Sequence, residues 1–207
     1  MLAQYFEEAV MRYCHDQRVA AKLWSEIEKH YTSKKRYYHT LAHLESLVTE
    51  LWLLRDCIED WDCILFSIAY HDIIYNTLNK DNEEKSAAFA AEQLRTISFP
   101  GQRIDRCVAQ ILATKSHAVS EDSDANLFTD SDLSVLGSDW DVYGQYARNI
   151  RKEYSFYPDL LYKPGRKKVL QHFLSMERIF KTEQFFSRFE DKARKNLLQE
   201  FETLSES

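Results

Sequence analysis

Glycine and proline are scarce in this chain. Its 207 residues include only four Gly and three Pro. A sheet-rich fold needs many turns, and these two residues supply much of the turn chemistry, so the scarcity favours long helices with few connections. The hydrophobic share of 44% and the aromatic share of 14% argue against disorder of the whole chain. The length suits one domain with a sizeable core.

Long apolar runs and an excess of positive charge are also absent. No apolar run approaches the roughly 20 residues that span a bilayer, so we expect no membrane partner. The opening segment has acids at Glu7 and Glu8 and no apolar signal core, so we expect no cleaved secretion signal and a cytoplasmic location. The formal net charge of −6 disfavours nucleic acid as a partner, because that binding relies on positive charge. The acidic net charge does not exclude a local basic pocket.

Several sequence signatures of known chemistry are missing. The four cysteines form no C-x-x-C pair, so reduced thiols in a cytosolic core are preferred to a disulfide framework or a zinc site. There is no P-loop, no Rossmann glycine fingerprint and no G-x-S-x-G elbow. The sequence therefore lacks the motifs that are typical of an ATP-driven enzyme or a serine hydrolase.

Helical periodicity runs through most of the chain. Residues 1–31 read as an N-terminal pair of helices, and Thr40 can cap the helix that follows it. The apolar run 61–75 is too long for a strand and has no flanking turn chemistry, so we predict a helix there. A loop is expected at 120–124, with a short helix opening at Phe128. Further helices are predicted over 81–97, 102–115, 139–154, 165–181 and 183–204.

These elements predict an all-α fold, with 1–207 as a single helical domain and 183–204 as its C-terminal helix. Six side chains of ligand type lie at the predicted helix ends: His39, His43, His71, Asp72, Asp130 and Asp132. Three histidines and three aspartates in such positions can converge on one cation. Imidazole with carboxylate suits Zn, Mn, Fe, Co or Ni, or Mg where water fills most positions.

The His71-Asp72 pair is the most informative feature of this set. It interrupts an apolar helix, and a buried ion costs several kcal/mol unless it is paired or metal-bound. The dipeptide alone is weak evidence, because His15-Asp16 repeats it in a polar stretch of the same chain. The pair is therefore evidence for a metal site only in combination with the other ligand-type residues.

Five ordered motifs carry a resemblance to a known family. The chain contains YYHTLAH, then AYHDIIY, then DNEEKSA, then ILATKSH, then TDSDLSVLG. It resembles the predicted metal-dependent phosphohydrolases of the HD superfamily in these motifs and in later segments, over most of the chain after residue 35. Thr40 stands where the family usually has Asn, and Tyr70 where it has Phe. The resemblance implies an HD-domain-like helical bundle.

The resemblance also implies a divalent metal held by His43, His71, Asp72 and Asp132, with Asp72 as a catalytic residue too. The Y-H-x-x-x-H opening is similar to the helical domain of cyclic nucleotide phosphodiesterases, which implies that His39 is a general acid. A His39 ordered by a backbone hydrogen bond is an equal alternative. Asp132 is preferred to Asp130 because Asp-Leu-Ser matches the phosphodiesterase-like segment, and Asp130 is expected to cap the short helix.

Further residues are candidates for the rim of the site. The family pattern implies that His117 lines it and that Asn82 and Glu83 fix the loop or a water molecule, although an ordinary helix start also explains the latter two. Basic side chains suited to phosphate oxygens are Arg36, Lys115, Arg151 and Arg166, the arginines as bidentate partners.

The function expected from this set is hydrolysis of a phosphate ester by metal-activated water. The partner would be a phosphorylated small molecule, with nucleotides among the candidates. Two alternatives stay open. One is a di-iron HD-fold oxygenase, for which His117 could supply a further ligand. The other is a non-catalytic regulatory module that binds a nucleotide or a metal, since fold-level analogy cannot decide function.

Overall fold

All regular secondary structure is helical in residues 1–206, the part of the chain described by a computed structural model. Helix makes up 73% of the chain, and no strand occurs among the described residues. This confirms the all-α prediction. The α-helices are α1 (Leu2–Cys14), α2 (Gln17–Tyr31), α3 (Leu41–Trp52), α4 (Trp61–Tyr70), α5 (Asn82–Thr96), α6 (Gly101–Ala113), α7 (Ser123–Leu133), α8 (Trp140–Glu153), α9 (Asp159–Ser175) and α10 (Glu183–Glu206). Short 3₁₀ helices cover Arg55–Cys57 and Ser134–Gly137.

The helices group into two compact units. The first unit is Met1–Thr129, with α1 to α6 and most of α7, and the second begins at Asp130. The boundary falls inside α7, which is one continuous helix. A single domain over 1–207 stays a prediction, and residue 207 lies outside the described residues.

The centre of the first unit is α4. All of its residues except Asp62 are buried, and it contacts α1, α3, α5 and α6. A helix that is covered on every side needs no polar face, which explains the unbroken apolar run in the sequence. The predicted helix over 61–75 is therefore confirmed in type, but it ends at Tyr70.

Two predicted helix starts differ from the structure. The short helix expected to open at Phe128 begins instead at Ser123. The Asp122 carboxylate accepts from the backbone N–H of Asp124 at 3.0 Å, as an N-cap side chain does, so the loop-like composition there is a capping motif. The helix predicted over 165–181 runs from Asp159 to Ser175 and contains Pro164.

Asp124 fixes the start of α7 against the start of α4. Its side chain is fully buried and accepts from the backbone N–H groups of Glu59 and Asp60, each at 2.9 Å. Arg106 lies 3.2 Å from the same carboxylate, so the buried charge is paired. Asp60 is itself the N-cap of α4. The Asp124 carboxylate therefore holds the start of α7 and the start of α4 together.

None of the described helices is both long enough and apolar enough to cross a bilayer.

Candidate metal centre

His71 follows the last residue of α4 and is 1% exposed. Its Nδ1 lies 3.0 Å from the carbonyl oxygen of Ile68. A carbonyl can only accept, so Nδ1 carries the hydrogen and donates it. Nε2 is then the atom able to bind a metal. Metal-binding histidines are commonly oriented in this way by a backbone carbonyl.

His43 lies in the first turn of α3 and is 5% exposed. Its ring centroid is 5.5 Å from that of His71 and 4.8 Å from that of Tyr38. Thr40 occupies the N-cap position of α3 but makes no capping hydrogen bond through its side chain. The backbone N–H of His43 donates to the carbonyl of Thr40 at 3.0 Å.

Asp132 lies near the end of α7, one helical turn after Phe128. The Phe128 ring packs edge-on against the ring of His71, with the centroids 5.6 Å apart. Residues four apart share a helix face. Asp132 therefore lies on the same face of α7 as Phe128, which is the face that contacts His71.

One ligand atom from each of His43, His71 and Asp132 lies within 4.8 Å of the other two. Within residues 1–206, no other group of three or more His, Cys, Asp or Glu side chains has this closeness. Three donors that share one cation with bonds of about 2.1 Å lie about 3–3.6 Å apart, so side-chain rotations that draw these atoms together by up to about 1.5 Å would bring them to bonding distance. Two imidazoles and a carboxylate suit Zn, Mn, Fe, Co or Ni. The residues present therefore fit a divalent metal.

Asp72 is a neighbour of this group and not a member of it. Its Oδ2 lies 3.2 Å from Nε2 of His71 and 3.8 Å from Nε2 of His39. Adjacent ligand atoms on a cation with bonds of about 2.1 Å are separated by about 3 Å. A nitrogen lone pair and a carboxylate oxygen this close repel each other unless a proton or a cation lies between them. Of the four predicted ligands, three are grouped and Asp72 lies beside one of them, and metal binding by this set stays a prediction.

The electrostatic surroundings keep Asp72 ionised. Burial raises the pKa of this carboxyl, but the positive charge that His71 and His39 carry when protonated outweighs burial. The net effect holds the pKa of Asp72 below its usual range. Asp72 is therefore a carboxylate at neutral pH.

His39 precedes the N-cap of α3 and lies beside Asp72. Its ring centroid is 4.3 Å from that of Tyr75 and 5.8 Å from that of His43. The side chains of His39 and Asp72 are each 18% exposed, whereas His43 and His71 are buried. His39 and Asp72 therefore lie on a partly exposed side of the site, and Asp132 is also only half-buried.

Asp130 has a structural role in the second unit. Its Oδ1 accepts from the backbone N–H and the ammonium group of Lys181, each at 3.0 Å. Its Oδ2 accepts from the backbone N–H and the hydroxyl of Thr182, each at 2.7 Å. The prediction that Asp130 caps a short helix is wrong, because α7 starts seven residues earlier, at Ser123, and the carboxylate binds the segment before α10 instead.

The remaining rim candidates are placed as follows. Asn82 donates to the carbonyl of Asn76 at 3.0 Å and accepts from its backbone N–H at 3.2 Å, so it does fix the loop before α5. Glu83 lies 3.9 Å from the ammonium group of Lys115. His117 follows α6 with a positive φ of 50° and is not a member of the three-donor group. A part for Glu83 or His117 in lining the site stays a prediction.

The three arginines predicted to bind phosphate already have acceptors in their own chain. Arg36 donates to the carbonyls of His39 and Ile73. Arg151 donates to one carboxylate and two carbonyls: Asp159, Tyr154 and Tyr157. Arg166 is buried and forms a bidentate pair with Glu200 at 2.8 and 2.9 Å. Phosphate contacts of these arginines stay a prediction.

Two residues that support the site escaped the sequence reasoning. Tyr31 accepts from the backbone N–H of Asp72 at 3.1 Å, and Asp124 joins the starts of α4 and α7. An apolar-spaced tyrosine in an amphipathic helix looks like core, and an aspartate near a helix start looks like a cap, so neither gave a signal.

A comparison of the chain with protein-family models gave no match, and neither did comparisons with curated proteins and with solved structures.

Proposed function

We propose that this chain is a metal-dependent phosphohydrolase that hydrolyses a phosphate ester of a small molecule, with nucleotides among the candidate substrates. The observation that carries the proposal is the three-donor group of His43, His71 and Asp132, whose ligand atoms lie within 4.8 Å of one another. The ordered resemblance to HD-superfamily phosphohydrolases points to the same residues. Both lines of support concern the site and its chemistry, which is where function must be argued.

In this proposal His43, His71 and Asp132 hold a divalent cation, and Asp72 lies next to it. When bound, such a cation lowers the pKa of a coordinated water from about 16 towards 7 and polarises a phosphoryl oxygen. Because Asp72 is ionised, it can accept a hydrogen bond from the attacking water and orient it. Its Oδ2 is 3.2 Å from Nε2 of His71, so this carboxylate lies beside a residue that would hold the cation.

His39 is the proposed proton donor to the leaving group. An ionised carboxylate favours the protonated form of a neighbouring imidazole, and Asp72 Oδ2 is 3.8 Å from His39 Nε2. Protonated imidazole can give its proton to a departing alkoxide. Since His39 and Asp72 lie on a partly exposed side of the site, the substrate approaches from that side.

The chain contains a matched pair of His-Asp dipeptides that tests the proposal. His15 is exposed and has a positive φ of 52°, a conformation that asparagine tolerates. We therefore compare His71→Asn with His15→Asn for bound metal, by mass spectrometry, and for hydrolysis of phosphomonoesters, nucleotides and cyclic dinucleotides with Mn, Mg, Fe, Co, Ni and Zn. His71→Asn should lose metal and turnover, and His15→Asn should retain both.

Other results would favour the alternative functions. A wild-type protein that binds no divalent metal, or that hydrolyses phosphate esters equally well without one, contradicts the proposal. A visibly absorbing di-iron centre with oxygen consumption and no hydrolysis would indicate the oxygenase. Metal or nucleotide binding without any turnover would indicate the regulatory module.

A further inference from the structure

Arg36 joins the two chain segments that carry the histidines of the candidate site. One terminal nitrogen of its guanidinium donates to the carbonyl of His39 at 3.2 Å, and the other donates to the carbonyl of Ile73 at 2.9 Å. His39 lies four residues before His43, and Ile73 lies two residues after His71. A single rigid, planar group thus fixes the backbone before α3 relative to the backbone after α4.

Tyr31, the last residue of α2, completes this arrangement. Its buried hydroxyl accepts from the backbone N–H of Asp72 at 3.1 Å. The guanidinium carbon of Arg36 lies over the Tyr31 ring at 4.6 Å and over the Tyr75 ring at 5.4 Å from the centroids. Stacking on aromatic rings restricts the orientation of the guanidinium, so the aromatic side chains direct its two hydrogen bonds.

We infer that Arg36 and Tyr31 are positioning residues of the metal site, and this inference rests on the proposed function. Both act on the backbone next to ligand-type side chains, and neither is a member of the three-donor group. Both terminal nitrogens of Arg36 donate to backbone carbonyls, which disfavours its earlier interpretation as a phosphate ligand. Lysine cannot replace it, because an ammonium group has neither the fork geometry nor the planar face.

The test uses Co²⁺ as the probe and two mild substitutions, Arg36→Lys and Tyr31→Phe. Apo protein is titrated with Co²⁺ by calorimetry, and the visible absorption of bound Co²⁺ reports its coordination geometry. Residues that orient metal ligands typically affect affinity by about 10–100-fold. We expect a loss in that range for Arg36→Lys, about tenfold for Tyr31→Phe, and an altered Co²⁺ spectrum in both.

Two control variants separate positioning from general stability. Arg18→Lys makes the same chemical change at a side chain that is 95% exposed and should bind Co²⁺ as the wild type does. Tyr143→Phe removes a hydroxyl that donates to Glu200 in the second unit, so it should lower the thermal midpoint of the apo protein and leave Co²⁺ affinity unchanged.

The outcomes are distinguishable. If wild-type protein does not bind Co²⁺ or any other divalent metal, the proposed function fails and the inference fails with it. If the wild type binds and both test variants keep its affinity and spectrum, only the inference is overturned. A raised KM for p-nitrophenyl phosphate in Arg36→Lys, with unchanged Co²⁺ affinity, would make Arg36 a phosphate ligand and also overturn the inference.

Discussion

Asp130 and Asp132 lie two residues apart on α7, yet replacing each by Asn should affect a different property. The change at Asp130 should lower stability, and the change at Asp132 should lower metal affinity. The Asp130 carboxylate accepts four hydrogen bonds from Lys181 and Thr182 and is fully buried. In Asp130→Asn the amide NH₂ replaces one acceptor and faces donors that then lack a partner. Breaking a buried ion pair on one side costs about 3–5 kcal/mol.

That loss of stability is large enough to measure directly. For a chain of this size, 1 kcal/mol shifts the thermal midpoint by about 2–4 °C, so Asp130→Asn should lower the midpoint by about 6–20 °C. The molecules that remain folded should bind Co²⁺ with wild-type affinity, because Asp130 is not a member of the three-donor group.

Asp132→Asn should show the reverse pattern. The substitution exchanges a charged carboxylate ligand for a neutral amide, so Co²⁺ affinity should fall sharply. The stability of the apo protein should change far less than in Asp130→Asn, since Asp132 is half-buried and Asp130 is fully buried.

Urea unfolding of the apo protein and calorimetric titration with Co²⁺ measure the two effects separately. Wild-type Co²⁺ affinity in Asp132→Asn would refute the three-donor group as the metal site. Loss of Co²⁺ affinity with full stability in Asp130→Asn would show that the two aspartates have been assigned to the wrong faces of α7.

Three further predictions concern single side chains. His43→Ala should lose metal, whereas His39→Ala should keep metal and slow the hydrolysis of substrates with poor leaving groups most; equal metal loss would make His39 a ligand. Tyr70→Phe removes a buried hydroxyl that has no hydrogen-bond partner within residues 1–206, and it should raise the unfolding free energy in urea by about 1 kcal/mol; a decrease would show that the hydroxyl is bonded. Burial raises the pKa of Asp60, but hydrogen bonding to Arg103 outweighs it and lowers this pKa below 3.8. This ion pair therefore stabilises the fold above pH 3.8 and is lost as pH falls through the lowered value, so the stability gap between wild type and Asp60→Asn should narrow in acid; a constant gap would contradict this.

The type of each major helix could be predicted from the sequence, but several boundaries could not. The run 61–75 is apolar throughout, and its pattern gives no sign that α4 ends at Tyr70. After that residue the backbone N–H groups of Asp72 and Ile74 donate to Tyr31 and to Ser86. These acceptors come from other helices, so local composition does not reveal the end of α4.

The division of roles between Asp130 and Asp132 could be predicted only in part. With 3.6 residues per turn, residues two apart on a helix are rotated by about 200°, so only one of the pair can face a given site. The sequence resemblance selected Asp132. The reason lies about 50 residues further along the chain, where Lys181 and Thr182 bind Asp130.

For the arginines, the sequence suggested a binding role but did not reveal their acceptors within the chain. Their charge and their place in family-like segments suggest phosphate binding, but charge alone does not say which acceptors are near. Glu200 lies 34 residues after Arg166 and pairs with it in a buried position. Arg36 reaches Ile73, which lies 37 residues further on. Pairs so distant in sequence leave no local signal.

The difference in burial across the site explains why its proposed metal ligands are easier to predict than its proposed substrate. His43 and His71 lie among packed helices, and α4 cannot rotate without exposing its apolar surface, so their positions depend on the core as a whole. His39 and Asp72 lie on a partly exposed side, where a substrate would make its contacts. Changes on that side alter few core contacts, so the proposed metal-binding frame is compatible with different phosphate esters.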